Sequence, residues 1–158
     1  METGAVYLTR SRLTELENEL IDLKTNQRKS IAEKISEARG HGDLSENAEY
    51  DAAKEAQSHL EMKIGKLENL LSRAKVVNPE DIPDGEVAVL CSVQVFDLNY
   101  KEEITFTLVS PDEADFELDK ISITSPLGKA LLGKKVGDIV LVEVPENKIE
   151  YKILKISK

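Results

Sequence analysis

The chain has 158 residues, of which 41% are apolar, and it carries a formal net charge of -9. This length and apolar content are typical of a folded protein with one ordinary domain or two small ones. No apolar run reaches the roughly 18 residues that a membrane span requires, and the N-terminus has no leader-like pattern, so we expect a cytoplasmic protein.

The negative charge lies mainly in the second half of the chain. Residues 1–77 hold 12 basic and 14 acidic side chains, whereas residues 78–158 hold 9 basic and 16 acidic ones. Because non-specific affinity for nucleic acid depends on basic side chains that neutralise phosphates, this balance argues against a protein that binds DNA on its own. The single cysteine, Cys91, is predicted to be a buried strand residue.

The first half of the chain is predicted to form two long helices. Thr9 is the predicted N-cap of the first helix, and Tyr50 begins the apolar pattern of the second. Both apolar patterns advance in steps of three and four, although the first becomes less regular at Gln27. The two arms are similar in length and contain no proline, so we expect an antiparallel coiled-coil hairpin of roughly 45 Å.

The turn of this hairpin, residues 40–50, has the sequence GHGDLSENAEY. Its glycines permit a chain reversal, and Asp43 is predicted to cap the second helix. Asp43 and Glu46 are three residues apart, a spacing that suits shared ligation of Mg²⁺ if a partner supplies further ligands. The same spacing is also a capping-box pattern, which stays open as the alternative. Arg39 and Lys54 flank the tip and are candidates for contact with a nucleic-acid backbone.

The second half of the chain changes to a period of two. Two prolines and a glycine in residues 79–85 end the helix, so we place the domain boundary between residues 77 and 78. Ser125 and Pro126 are predicted to open one short helix that Gly133 stops. The predicted fold class is therefore α+β, with a hairpin over 1–77 and a small antiparallel sheet with one helix over 78–158. The predicted strands cover 86–96, 101–109, 121–124, 139–144 and 148–156.

Two long motifs carry a resemblance to a known family. Residues 42–55, GDLSENAEYDAAKE, resemble the signature of the bacterial transcript-cleavage factors of the GreA/GreB family. Residues 123–138, ITSPLGKALLGKKVGD, are similar to that family's C-terminal domain, which implies an FKBP-like fold there. The resemblance covers the whole chain and is nearer to the GreA type, because the basic residues of the hairpin are few and balanced by acids.

The resemblance implies a transcription elongation factor that has no nuclease activity of its own. In that family the globular domain docks at the rim of the secondary channel of RNA polymerase, and the hairpin passes down the channel. Asp43 and Glu46 match the tip acids that help to hold a Mg²⁺ ion shared with the polymerase active centre, where the polymerase then cleaves backtracked RNA. Arg39 and Lys54 match basic residues that meet the RNA 3′ end, and Ser45 stands where relatives often carry lysine.

The same resemblance implies a docking patch near Asp119, Ser125 and Pro126. It also implies that the factor works as a monomer and that its partners are RNA polymerase and the nascent RNA rather than a membrane.

Three alternatives remain open from the sequence. A relative that enters the same channel but blocks it would depart from the tip pattern, so Asp43 and Glu46 favour the cleavage factor. A prolyl isomerase needs an aromatic pocket, and the second half has no tryptophan and five other aromatic residues, Phe96, Tyr100, Phe106, Phe116 and Tyr151. A structural coiled-coil adaptor would tolerate any residues at the tip.

Overall fold

The computed structural model describes residues 4–40 and 47–158, and the chain divides into two compact units. One unit is helical and holds residues 11–73, while the other combines the segment up to Arg10 with residues 74–158. The sequence assigned the N-terminal segment to the hairpin half and set the boundary after residue 77, so the division by contacts differs from that prediction. Within the described ranges, no helix is long and apolar enough to cross a membrane.

The helical unit is an antiparallel pair of arms. The first arm contains α1 (Arg10–Asp22), a π-helical turn (Leu23–Gln27) and α2 (Arg28–Arg39), and the second arm is α3 (Ala48–Ser72). Helix α1 begins directly after Thr9, where the sequence predicts the cap. Each arm buries one apolar stripe, which consists of Leu16, Leu23, Ile35 and Ala38 on the first arm and Ala53, Leu60, Ile64 and Leu67 on the second.

The π-helical turn corrects the prediction of one continuous first helix. Leu16 and Leu23 are seven residues apart and so are Ile31 and Ala38, but Leu23 and Ile31 are eight apart. One additional residue in an α-helix would rotate the second half of the stripe by about 100°. The wider π-helical turn accommodates that residue, so both halves of the stripe still face α3. Gln27, predicted to lie on the stripe, is exposed as a result.

A small parallel sheet replaces the predicted end of the second arm. Helix α3 stops at Ser72, and strand β2 (Ala74–Val76) pairs with β1 (Val6–Leu8). Val6 and Leu8 are buried, at 0% and 1% exposure, and this N-terminal strand belongs to the same unit as residues 74–158. The sequence analysis predicted neither strand.

The main sheet has five strands in the order β5-β4-β3-β7-β6. Every neighbouring pair is antiparallel except β4 and β5, which are parallel, so the predicted antiparallel sheet has one parallel edge strand. The first strand begins at Ser92 rather than near residue 86, because the chain turns at Leu90, whose φ is 71°. Cys91 is buried as predicted but lies just before the strand. The strands are β3 (Ser92–Asp97), β4 (Glu102–Val109), β5 (Lys120–Ser122), β6 (Ile139–Val144) and β7 (Asn147–Ser157).

One face of this sheet forms the core beneath α4 (Pro126–Leu131). Alternate residues of β3 are buried, and the rings of Phe106 and Tyr151 pack edge to face with centroids 6.0 Å apart. Helix α4 contributes Leu131, which is fully buried. The predicted fold class, a helical region followed by a mostly antiparallel sheet domain with one short helix, is confirmed.

Candidate functional site

The tip acids Asp43 and Glu46 lie in residues 41–46, outside the residues that the structure describes. The helix that follows them is described, and it begins at Ala48 with Asn47 as its N-cap. The Oδ1 atom of Asn47 accepts a hydrogen bond from the Tyr50 amide at 3.0 Å. The prediction that Asp43 caps this helix is therefore wrong, and the capping-box interpretation does not account for the start of α3.

Asn47 also contacts the other arm. Its Nδ2 atom donates a hydrogen bond to the carbonyl oxygen of Ala38 at 2.6 Å. That carbonyl belongs to the last turn of α2. A single side chain thus bonds to the backbone of the last turn of α2 and to the backbone of the first turn of α3.

The two predicted RNA contacts lie on opposite arms near the tip. Arg39 is the last residue of α2, and its guanidinium carbon lies 6.0 Å from the centroid of the Tyr50 ring. This distance is at the limit of a cation–π contact. Lys54 is exposed, and its Nζ atom donates to Oε1 of Gln57 at 2.8 Å.

Ion pairs connect the two arms of the hairpin. Arg28 donates from two nitrogens to the Glu61 carboxylate, at 3.0 Å and 2.7 Å. The hydrogen bond from Arg28 lowers the pKa of Glu61, and the same bond raises the pKa of Arg28. Two longer pairs, Lys24 with Glu68 at 3.9 Å and Lys63 with Glu19 at 3.8 Å, also join the arms.

The predicted docking residues flank the edge strand β5. Asp119 directly precedes the strand with a left-handed backbone at φ 54°, and Ser125 and Pro126 follow it at the start of α4. The Ser125 hydroxyl caps α4, since it accepts from the Gly128 amide at 3.0 Å and donates to the Ser122 carbonyl at 2.6 Å. The Ser125 hydroxyl therefore uses its hydrogen bonds within the fold. Of the three predicted docking residues, Asp119 and Pro126 are exposed.

Next to these residues, the 115–120 loop presents two apolar side chains to solvent. Phe116 is 92% exposed and Leu118 is 62% exposed. The loop backbone is held by a pair of hydrogen bonds between Asp115 and Lys120, at 2.9 Å and 3.0 Å. The Asp115 carboxylate accepts from the amide of Glu117, and Thr107 donates to the Asp119 carbonyl. An ordered loop with an exposed aromatic ring is typical of a protein-binding surface.

Family models match both units. Residues 6–76 match the N-terminal domain of the GreA/GreB transcription elongation factors, and residues 82–158 match the C-terminal domain. The chain belongs to the GreA/GreB family.

Individual relatives in the GreA/GreB family are similar along nearly the whole length. The transcription elongation factor GreA of Chlorobium phaeobacteroides strain BS1 is 52% identical over 96% of both chains. GreA of Thermoanaerobacter pseudethanolicus is 53% identical over 97% of this chain and 98% of the relative. A solved structure of the transcription factor Gfh1 matches over 98% of this chain and 99% of its own, with 28% identity and a TM-score of 0.47.

The structure shows three residues beside the predicted sites to which the sequence analysis assigns no role. The sequence analysis has no role for Asn47, although Asn is among the best N-caps and the helix pattern begins just after it. The sequence analysis also gives no role to Phe116 and Leu118, the exposed apolar residues of the 115–120 loop. In the sequence, the signal for Phe116 and Leu118 is that both are apolar residues within an acidic segment. Its acids are Asp112, Glu113, Asp115, Glu117 and Asp119.

Proposed function

We propose that this factor enters the secondary channel of RNA polymerase and stimulates the polymerase to cleave backtracked RNA. The hairpin carries Asp43 and Glu46 to the polymerase active centre, and the C-terminal unit docks outside the channel. The factor supplies two carboxylates and performs no cleavage itself. Its partners are the polymerase and the 3′ end of the nascent RNA, and it acts as a monomer in the bacterial cytoplasm.

The start of α3 is the observation that carries this proposal. Because Asn47 caps that helix, the fold does not need Asp43 or Glu46 for this purpose. The two acids nevertheless lie within a sequence that links the ends of two packed helices, α2 and α3. Helix α3 alone has 25 residues, which corresponds to about 37 Å at 1.5 Å per residue. An arm of that length suits delivery of the acid pair to a recessed site.

The donor chemistry of the pair fits Mg²⁺, which prefers carboxylate oxygens and often takes only one or two from a protein. Residues 4–40 and 47–158 contain no group of three or more His, Cys, Asp or Glu side chains that could hold a metal ion. Two carboxylates fill only part of the octahedral coordination of Mg²⁺, so Asp43 and Glu46 would share the ion with ligands of the polymerase. When bound there, the ion would polarise water and stabilise negative charge at phosphorus.

The remaining residues position the partners in this proposal. Arg39 and Lys54 are exposed near the tip and contact the RNA backbone. Asp119, Pro126 and the end of α4 that Ser125 caps form the docking patch. The 115–120 loop extends that patch with its apolar side chains.

A purified polymerase halted in a backtracked complex tests the function. Addition of the factor is expected to shorten the RNA and to restore elongation when nucleotides are supplied. Binding without shortening would contradict the proposal and would indicate a factor that blocks the channel.

A further inference from the structure

The side chain of Asn47 connects the two arms directly below the tip. Its Oδ1 atom accepts from the Tyr50 amide at 3.0 Å, and its Nδ2 atom donates to the Ala38 carbonyl at 2.6 Å. The first bond starts α3, whereas the second reaches across to the last turn of α2. The capping function needs only the first of these bonds.

The chemistry of both bonds is specific to an amide. Serine and aspartate are equally good N-caps because each offers an oxygen to the Tyr50 amide. An ionised aspartate has no proton to donate to the Ala38 carbonyl. A serine hydroxyl oxygen is one bond closer to the backbone than the Asn47 amide nitrogen, so it falls short of the other arm while it caps α3. A substitution at position 47 can therefore remove the bond to Ala38 while it keeps the bond that caps α3.

The surroundings of this bond are packed. Ala38 is 2% exposed and Ala53 is 6% exposed, so the apolar stripe of both arms continues up to the Asn47 amide. Above it, the Arg39 guanidinium lies over the Tyr50 ring. The ends of the two helices are therefore held to each other by contacts that involve both arms.

The tip sequence is joined covalently to both helix ends that the Asn47 side chain connects. Glu46 is bonded covalently to Asn47, and only six residues, 41–46, separate Asn47 from Gly40 at the end of α2. A connection this short depends on where its two ends are fixed. Groups that act on a reacting centre lose activity when they move by about 1 Å.

We infer that Asn47 is a positioning residue for the tip acids, because its amide fixes the end of α2 to the start of α3. The inference rests on the proposed function. Asn47 contacts neither RNA nor metal in this inference. Its side chain affects cleavage only through the placement of Asp43 and Glu46.

The free factor provides the first test. The side-chain amide protons of Asn47 should exchange with solvent more slowly than those of Asn69, an exposed residue of α3 whose Oδ1 accepts from Arg73. Equal exchange rates at the two side chains would show that the bond to Ala38 is absent and would overturn the inference without any polymerase in the assay.

The variant Asn47→Ser provides the second test, with Asn69→Ser as the matched control. Asn47→Ser keeps a cap for α3, so circular dichroism and affinity for the polymerase should equal those of the wild type. RNA cleavage at saturating factor should fall on the order of 10- to 100-fold, and the control should cleave at the wild-type rate. Wild-type cleavage by Asn47→Ser would overturn the inference.

Two further outcomes keep the test decisive. If Asn47→Ser loses helical structure, Asn47→Asp keeps the cap and the side-chain size, and wild-type cleavage by that variant would overturn the inference. If the wild-type factor itself does not shorten RNA, the proposed function fails, whereas a failure confined to the Asn47 comparison leaves that function standing.

Discussion

The backbone amide of Tyr7 donates a hydrogen bond to the hydroxyl oxygen of Ser110 at 2.9 Å, although 103 positions separate the two residues. Ser110 is fully buried at the end of β4, and Tyr7 is the central residue of β1. This bond connects the N-terminal strand to the part of the same unit that comes from residues 74–158.

Replacement of Ser110 by alanine should destabilise this unit. The Tyr7 amide would lose its acceptor in a partly buried position, which costs about 1–3 kcal/mol. Urea unfolding of the whole factor measures the loss. The exposed Ser157 gives the matched control, and Ser157→Ala should change the free energy of unfolding by less than about 0.5 kcal/mol. Equal effects of the two substitutions would contradict the role of Ser110.

Deletion of Asn26 should stabilise the hairpin. The deletion removes the one additional residue that the π-helical turn accommodates, so the apolar stripe of the first arm would return to spacings of seven. We expect a gain of about 0.5–2 kcal/mol in thermal or urea unfolding. Deletion of the exposed Met62 from α3, whose apolar residues already keep a regular spacing, should instead lower the stability of the hairpin. It would rotate half of the apolar stripe by about 100°. A loss of stability on deletion of Asn26 would contradict this explanation of the turn.

The pKa of Glu61 should depend on Arg28. Because the hydrogen bond from Arg28 lowers the folded-state pKa below the ordinary value of 4.5, the stabilisation is present above that value and is lost as the pH falls through the folded pKa. An NMR titration should show the Glu61 pKa returning towards 4.5 in Arg28→Ala, and Lys24→Ala should leave it unchanged. An unchanged pKa in Arg28→Ala would show that the pair is not formed in solution.

Phe116 should contribute to polymerase affinity in the proposed complex. Its ring is 92% exposed on an ordered loop among acidic residues, which suits an apolar socket with a basic rim on the polymerase. Phe116→Ala should weaken binding by about 2 kcal/mol, or roughly 30-fold in Kd. Cleavage at saturating factor should remain normal. Tyr100, which is 70% exposed elsewhere in the same unit, supplies the control, and equal losses in Tyr100→Ala would argue against a specific anchor.

Much of the fold follows from periodicity in the sequence. The regular spacing of Ala53, Leu60 and Leu67 predicts the second arm, and the alternation in β6 and β7 predicts two strands that the structure contains. The sequence also contains a signal for the π-helical turn, because Leu23 and Ile31 are eight residues apart rather than seven. The sequence analysis registers only a less regular pattern at Gln27, because a spacing of eight alone does not distinguish a π-helical turn from a loosened heptad repeat.

Other features depend on contacts that no local pattern records. Strands β1 and β2 have three residues each and pair across most of the hairpin sequence, so neither is long enough to show a period of its own. The cap at Asn47 could have been predicted from residue type, but its bond to Ala38 depends on where the two arms end relative to each other. The exposure of Phe116 likewise depends on the bonds that hold the 115–120 loop.

Cleavage by a factor that still binds the polymerase but lacks both tip carboxylates shows whether these acids carry the activity. The double substitution Asp43→Asn with Glu46→Gln removes both charges while keeping the side-chain sizes. At equal occupancy on a purified backtracked complex, the wild type should shorten the RNA from its 3′ end and the double variant should leave it intact. Equal shortening by the two proteins would contradict the claim that these acids carry the activity.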